Sequence, residues 1–199
     1  MMEPSTQPET LILVKHARPD IVPATPVAQW ELSAAGRAAC EPLAQALAPW
    51  RPETLLASEE PKAAETARLA AERLGVPWRT APGLHEHERA GAPFFAREAD
   101  FAAAMEALFL RPGELVYGRE TADEALLRFS AALDDALAGH AGQRVAVVTH
   151  GTVIALYVAC LWGLSAREGY DLWGRLGLPA LVVARAPGLT APLVVGRAG

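Results

Sequence analysis

The chain has 199 residues, 51% of them apolar and 21% charged, with a formal net charge of -5. That is enough apolar material for one domain with a sizeable core, and the acidic balance excludes nucleic acid or an anionic membrane as the expected partner. Cys40 and Cys160 lie far apart and in no C-x-x-C pair, which excludes a disulfide framework and a cysteine zinc site.

The first predicted element is a strand through Thr10-Leu-Ile-Leu-Val14, running straight into Lys15-His16-Ala17-Arg18. Ligands of open α/β sheets bind beyond the carboxyl ends of strands. The strand therefore delivers His16 to a candidate site with Lys15 and Arg18 beside it, the alternative being a core strand followed by a solvated polar turn. A loop punctuated by Pro19, Pro23 and Pro26 follows and is placed to wall a site. Ser33 then N-caps a helix with Cys40, Leu43, Ala44 and Leu47 on its apolar face, closed by Pro49.

A second strand, Glu53 to Ala57, leads to a helix from Pro61 to Leu74, with proline at its first position and Gly75 at its end. Lys62 stands in the first turn, where the helix dipole disfavours a cation. That hints at a nearby anion, although a solvated lysine beside Glu59 or Glu65 costs little. Val76 to Thr80 reads as an edge strand, because Pro77 has no N–H to donate. His85-Glu86-His87-Glu88-Arg89 carries no apolar period. A helix is predicted from Ala96 to Leu110 on Phe101, Met105, Leu108 and Phe109, and a capping box, Thr121 to Glu124, opens another to about Gly139.

Gln143 to Thr149 is the clearest central strand, and it ends in His150-Gly151 before an apolar helix. Strand, glycine turn and helix form an arrangement that points backbone N–H groups at an anion. Ser165 to Glu168 opens a short helix, and strands at Leu178–Ala184 and Pro192–Val195 close the chain as a hairpin. Strands alternating with helices predict an α/β, three-layer α/β/α sandwich on a mostly parallel sheet. We expect one domain over 1–199, with residues 1–9 as a flexible tail. Met1 to Pro8 has no features of a signal peptide, and the apolar stretch Thr152 to Leu164 is shorter than the roughly 20 residues a spanning helix needs. A soluble, reduced, cytoplasmic protein is expected, and a homodimer is one state compatible with the sequence.

In a parallel sheet His16 and His150 emerge on the same edge and can face each other across one cleft. Two imidazoles with Lys15, Arg18 and Lys62 suit a phosphoryl group, whose transfer depends on positioning and charge stabilisation. Neutral imidazole is a competent nucleophile, and neighbouring cations keep His16 unprotonated.

These residues resemble a known family. Lys15-His16-Ala17 is similar to the Arg-His-Gly signature of the histidine phosphatase superfamily, the phosphoglycerate mutase-like fold. Leu32-Ser33-Ala-Ala-Gly36 resembles its Leu-Thr/Ser-x-x-Gly helix start, and Ser58 to Ala67 its Ser-x-x-x-Arg-Ala-x-x-Thr-Ala segment. Leu84-His-Glu86 looks like its Leu-x-Glu stretch, Gly118 to Thr121 with Arg128 like its Gly-Glu-Ser/Thr…Arg segment, and Val147 to Gly151 like its second histidine motif. The resemblance implies His16 as nucleophile, His150 as the holder of the transferring group, and Glu86 as acid and then base, with Glu88 as the alternative. Lys15 and Lys62 stand at the positions of phosphate-binding arginines, with Gly151 at the helix start and Arg18 as a compensating cation. No metal or organic cofactor is implied, and the partner is a small phosphorylated substrate.

The departures bear on substrate. Lysine lacks the bidentate fork of arginine, and Glu59 and Glu60 add negative charge that disfavours a highly anionic substrate. Phosphomonoester hydrolysis is the expected activity. A phosphomutase fits a longer chain better, and a phosphate-binding protein with little turnover is kept open by the paired lysines. A metal-dependent hydrolase on His85 to Glu88 is the fourth and weakest reading.

Overall fold

The computed structural model describes residues 7–92, 95 and 97–195. A six-stranded sheet lies at its centre, in the order β3-β2-β4-β1-β5-β6. The strands are β1 (Thr10–Lys15), β2 (Thr54–Ser58), β3 (Trp78–Ala81), β4 (Arg144–Thr149), β5 (Ala180–Arg185) and β6 (Leu193–Val195). The first four form a parallel block, β5 runs antiparallel to β1, and β6 makes a hairpin with β5. Helices α1 (Ala34–Leu47), α2 (Pro61–Leu74), α3 (Glu98–Leu110), α4 (Ala122–Leu137), α5 (Gly151–Trp162) and α6 (Ala166–Arg175) flank the sheet.

Side-chain alternation along β1 generates the three layers. Leu11 and Leu13 enter one core with Val145, Val147 and the inner residues of α3 to α6. Ile12 and Val14 enter the other with Leu43, Leu47, Ala63 and Ala67 of α1 and α2. A strand covered on both faces reads as a continuous apolar run because every second residue serves a different core. Fully burying each such side chain is worth roughly 1.5–3 kcal/mol, so the position of β1, and of the histidine that follows it, is strongly fixed.

Local signals set the helix ends. Ser33 accepts the Gly36 N–H at 3.0 Å, and capping boxes open α4 at Thr121 and α6 at Ser165. Gly36 also admits a close approach. A Cβ there would lie 2.1 Å from the Arg18 carbonyl oxygen. That same oxygen accepts the Ser33 N–H and hydroxyl at 3.0 and 2.9 Å. The start of α1 is thus seated on the turn that follows His16.

Several expectations shift in detail. Helix α1 ends at Leu47 and passes into a 3-10 turn, Ala48–Trp50, which accommodates Pro49 near its start. Strand β5 begins at Ala180 rather than Leu178, since Pro179 has no N–H for a ladder. The start predicted for α3, Ala96, lies outside the described residues, as do residues 1–6 of the expected tail. Gln7 is held, its carbonyl accepting the Gly142 N–H at 3.1 Å. Cys40 packs in the core as expected, but Cys160 is exposed, on the outer side of α5. No helix among the described residues is long and apolar enough to cross a membrane.

Candidate active site

Strands β1 and β4 are in register with Lys15 opposite Thr149, so the next residues, His16 and His150, leave the sheet side by side. Their ring centroids are 5.1 Å apart at an interplanar angle of 64°. His16 Nδ1 lies 2.7 Å from its neighbour's carbonyl, that of Ala17. A carbonyl only accepts, so the proton is on Nδ1 and Nε2 carries the free lone pair. Burial first, and the Lys62 ammonium second, pull the His16 pKa down to about 3. The sequence credited the cations alone; removal from water is the larger cause. Thr66 fixes the turn after His16, accepting the Ala17 N–H at 3.1 Å and donating to the Lys62 carbonyl at 2.6 Å.

His150 is fully buried, with Nε2 3.0 Å from Ser58 Oγ and 3.6 Å from Glu60 Oε1. Its Nδ1 has no hydrogen-bond partner among the described residues. Burial, then the His16 ring and Lys62, hold this imidazole well below its ordinary pKa. Both rings are therefore neutral at rest.

Lys62 is not a solvated lysine. It is 2% exposed, donates to the Val27 carbonyl at 2.9 Å and pairs with the Glu60 carboxylate. The proline-punctuated loop contributes the Val27 carbonyl to Lys62, and Glu60 supplies the anion that a cation in the first turn of α2 called for. Glu60 also accepts the Glu86 N–H at 3.1 Å. Lys15 reaches across the start of α5 to the Leu176 carbonyl, 3.0 Å from Nζ. Gly151 makes room for it, since a Cβ there would stand 3.1 Å from Lys15 Cε. Burial lowers the Lys15 pKa, with Glu86 opposing.

Glu86 completes the cluster. Its Oε1 accepts the His87 N–H at 2.8 Å and its Oε2 the Thr152 N–H at 3.3 Å. Burial works to raise its pKa, but the Arg89 guanidinium and these two N–H groups outweigh burial and hold it low. Part of the anion expected at the start of α5 is thus the protein's own carboxylate. Glu88 is exposed and contributes only its backbone, so of these two carboxylates Glu86 is the one inside the cleft. Arg18 is the predicted site residue that the fold leaves apart. It is exposed, and its guanidinium makes no hydrogen bond or ion pair among the described residues. His87 is buried rather than solvated, donating from Nε2 to the Glu120 carbonyl at 2.7 Å.

Residues 11–178 match the family model of the histidine phosphatase superfamily (branch 1). The chain belongs to this superfamily. Among curated proteins none matches it. Among solved structures, the mycobacterial glucosyl-3-phosphoglycerate phosphatase is similar over 94% of this chain and 96% of its own, at 21% identity and a TM-score of 0.67. YhfR from Bacillus stearothermophilus is similar over 94% of this chain and 95% of its own, at 18% identity and a TM-score of 0.68. A phosphoserine phosphatase mutant from Entamoeba histolytica follows, with 94% and 95% covered, 16% identity and a TM-score of 0.66. At these identities the likeness is one of fold.

Within this histidine phosphatase fold, Arg128 on α4 staples the segment that carries Glu86. Its Nε and Nη2 donate to the two Glu120 oxygens at 3.1 and 2.6 Å. Nη1 takes the Gly83 and His85 carbonyls at 2.9 and 3.1 Å, and Nη2 also takes that of Glu86 at 3.2 Å. Glu120 Oε1 in turn accepts the Glu88 N–H at 2.8 Å. Removing one partner of a largely buried pair leaves the other uncompensated, so Arg128→Met should cost about 3 kcal/mol in urea unfolding at pH 7. The double variant with Glu120→Gln should lose less than the two single losses combined. Burial raises the Glu120 pKa, but Arg128 wins and depresses it below 4.5. The pair's contribution is present above that value and fades as pH falls through the folded one, so the gap between wild type and Arg128→Met should narrow in acid.

The residue that sequence reasoning missed is Arg89. Its guanidinium lies in the same cleft, with Nη2 2.9 Å from Thr152 Oγ1 and 3.5 Å from Glu86 Oε2. The one sequence signal was its place in an ionisable run that carried no apolar period.

Proposed function

We propose that the protein is a phosphatase of the cofactor-independent histidine acid phosphatase type, hydrolysing a small phosphomonoester through a phosphohistidine on His16. The observation that carries this reading is the His16 tautomer, which leaves Nε2 unprotonated at the end of β1, beside a second imidazole. In the first step Nε2 attacks phosphorus, the P–O ester bond breaks, and the leaving oxygen takes a proton from Glu86. Glu86 rests as the anion, and a phosphomonoester monoanion, whose second pKa is about 6, brings the proton that it relays. In the second step water attacks the phosphohistidine, the N–P bond to His16 breaks, and Glu86 accepts the water's proton and passes it to the departing phosphate, which leaves as the monoanion and returns Glu86 to its anionic state. His150 holds the transferring group, with Lys15, Lys62 and the Gly151 end of α5 supplying positive potential and Arg18 the outer rim. Two free cysteines suit a reducing, cytoplasmic setting.

Low-turnover phosphate binding is the second reading. It is kept open by the paired lysines, which meet phosphate as point charges without the bidentate fork of arginine that orients a transferring group. A turnover screen over phosphorylated metabolites, with rapid quenching of labelled substrate, separates the two. The phosphatase reading expects turnover and an acid-labile, alkali-stable label on the protein. Tight phosphate binding with neither label nor turnover would establish the binding protein instead.

A further inference from the structure

We propose that Arg89 is a positioning residue for the reaction: its guanidinium, braced against two aromatic rings, clamps the Glu86 carboxylate onto the first turn of α5 and keeps it an anion between turnovers. The geometry is a closed triangle. Arg89 Nη2 donates to Thr152 Oγ1 at 2.9 Å and faces Glu86 Oε2 at 3.5 Å, while the Thr152 N–H donates to that same Oε2 at 3.3 Å. Thr152 thus meets the pair through both its backbone and its side chain, and it is fully buried. The guanidinium carbon stands 5.1 Å from the Phe101 ring centre and 5.9 Å from that of Tyr117. Those rings come from α3 and from the segment before α4, so the clamp is anchored on elements outside its own loop. Arg89 and Glu86 are each 14% exposed at the side chain, so water does little to screen their attraction.

Other groups face Glu86. His87 lies on its own loop, and burial keeps that imidazole's pKa low. Lys15 and the neutral His16 approach from β1, and Glu60 binds the Glu86 N–H from the turn before α2. Lys15 is the other cation near the carboxylate, and its Nζ is held by the Leu176 carbonyl. Removing Arg89 therefore takes away the main charge that favours ionised Glu86 and leaves burial to act. The expected direction is upward.

The test is a carbon-13 titration of the Glu86 carboxyl, its resonance identified by its loss in Glu86→Gln. In Arg89→Met, Glu86 should titrate at least about one pH unit higher than in wild type. Arg89→Gln, neutral but closer in shape, should give the same shift. The limb of the kcat profile that vanishes in Glu86→Gln should move up with it in p-nitrophenyl phosphate hydrolysis, where breakdown of the phosphohistidine uses Glu86 as base. A merely structural arginine would lower the rate and leave that limb in place, and an unchanged Glu86 titration in either folded variant overturns the proposal. If neither variant folds, a wild-type Glu86 titrating at or above the ordinary carboxyl range overturns it, and one titrating below that range supports it. The kinetic measurement rests on the phosphatase reading, but the titration does not. Absence of His16-dependent turnover would refute the function while the clamp is still judged on the Glu86 titration.

Discussion

His16→Ala should abolish turnover, by at least about 10³-fold in kcat, and should eliminate the trapped phosphoenzyme. His150, the other ring in the cleft, shares its Nε2 with Ser58 and Glu60, so it is not free to replace the lost nucleophile. Phosphate binding should persist, because Lys15, Lys62 and the start of α5 are untouched. That split, with binding kept and chemistry lost, is the signature of a nucleophile; equal rates in wild type and variant would remove His16 from the mechanism. The substitution has a second consequence. Burial first, and Lys62 second, lower the His16 pKa from 6.5 to about 3. Between those values the unfolded chain binds the proton that the folded chain refuses, so His16 costs stability as pH falls through that window. Urea unfolding at pH 7 and pH 5 should therefore show a smaller acid loss in His16→Ala than in wild type, with the residual loss carried in part by His150.

The parts of this fold legible in the chain are those with local causes. β1 and β4 are apolar runs ending in histidine, and a parallel sheet needs only their direction to bring His16 and His150 together. The caps at Ser33, Thr121 and Ser165 and the glycine after α2 act within a few residues of themselves. Long-range pairings were not legible. Lys62 finds the Val27 carbonyl across 35 positions, and Arg89 finds Thr152 across 63. Nothing local distinguishes Arg89 from the other charges between His85 and Arg89, because its role comes from α3, α5 and Tyr117. The exposure of Cys160 was not legible for a different reason. Helix α5 is apolar nearly all round, so the period of its sequence does not reveal which side faces out. The choice between Glu86 and Glu88 likewise turned on the strapping by Arg128 and Glu120, which sets which side chain of an alternating pair enters the cleft.

Glu86→Gln should lower kcat by ~10²–10⁴-fold on an alkyl phosphate, the span typical of a lost general acid–base. Glutamine keeps the size of the side chain but loses the charge that holds Arg89 and cannot relay a proton. The more telling expectation concerns the leaving group. An alkoxide needs the proton from Glu86 in the first step, so with an alkyl ester the phosphoryl transfer itself slows and no intermediate accumulates. A nitrophenolate leaves with little help, so with p-nitrophenyl phosphate the first step survives while hydrolysis of the phosphohistidine, which needs Glu86 as base, does not. Stopped-flow traces of Glu86→Gln should then show a burst of nitrophenolate close to one per protein, followed by slow release, with the phosphoenzyme accumulating on His16. Glu88→Gln, at the exposed neighbour, should behave as wild type. A Glu86→Gln enzyme with no burst and an undiminished rate on both esters would move the acid–base role elsewhere. The two remaining carboxylates to examine would be Glu60, 3.6 Å from His150 Nε2, and Glu120, held by Arg128. The burst, by contrast, would show one carboxylate serving both steps from the place where the start of α5 and Arg89 hold it.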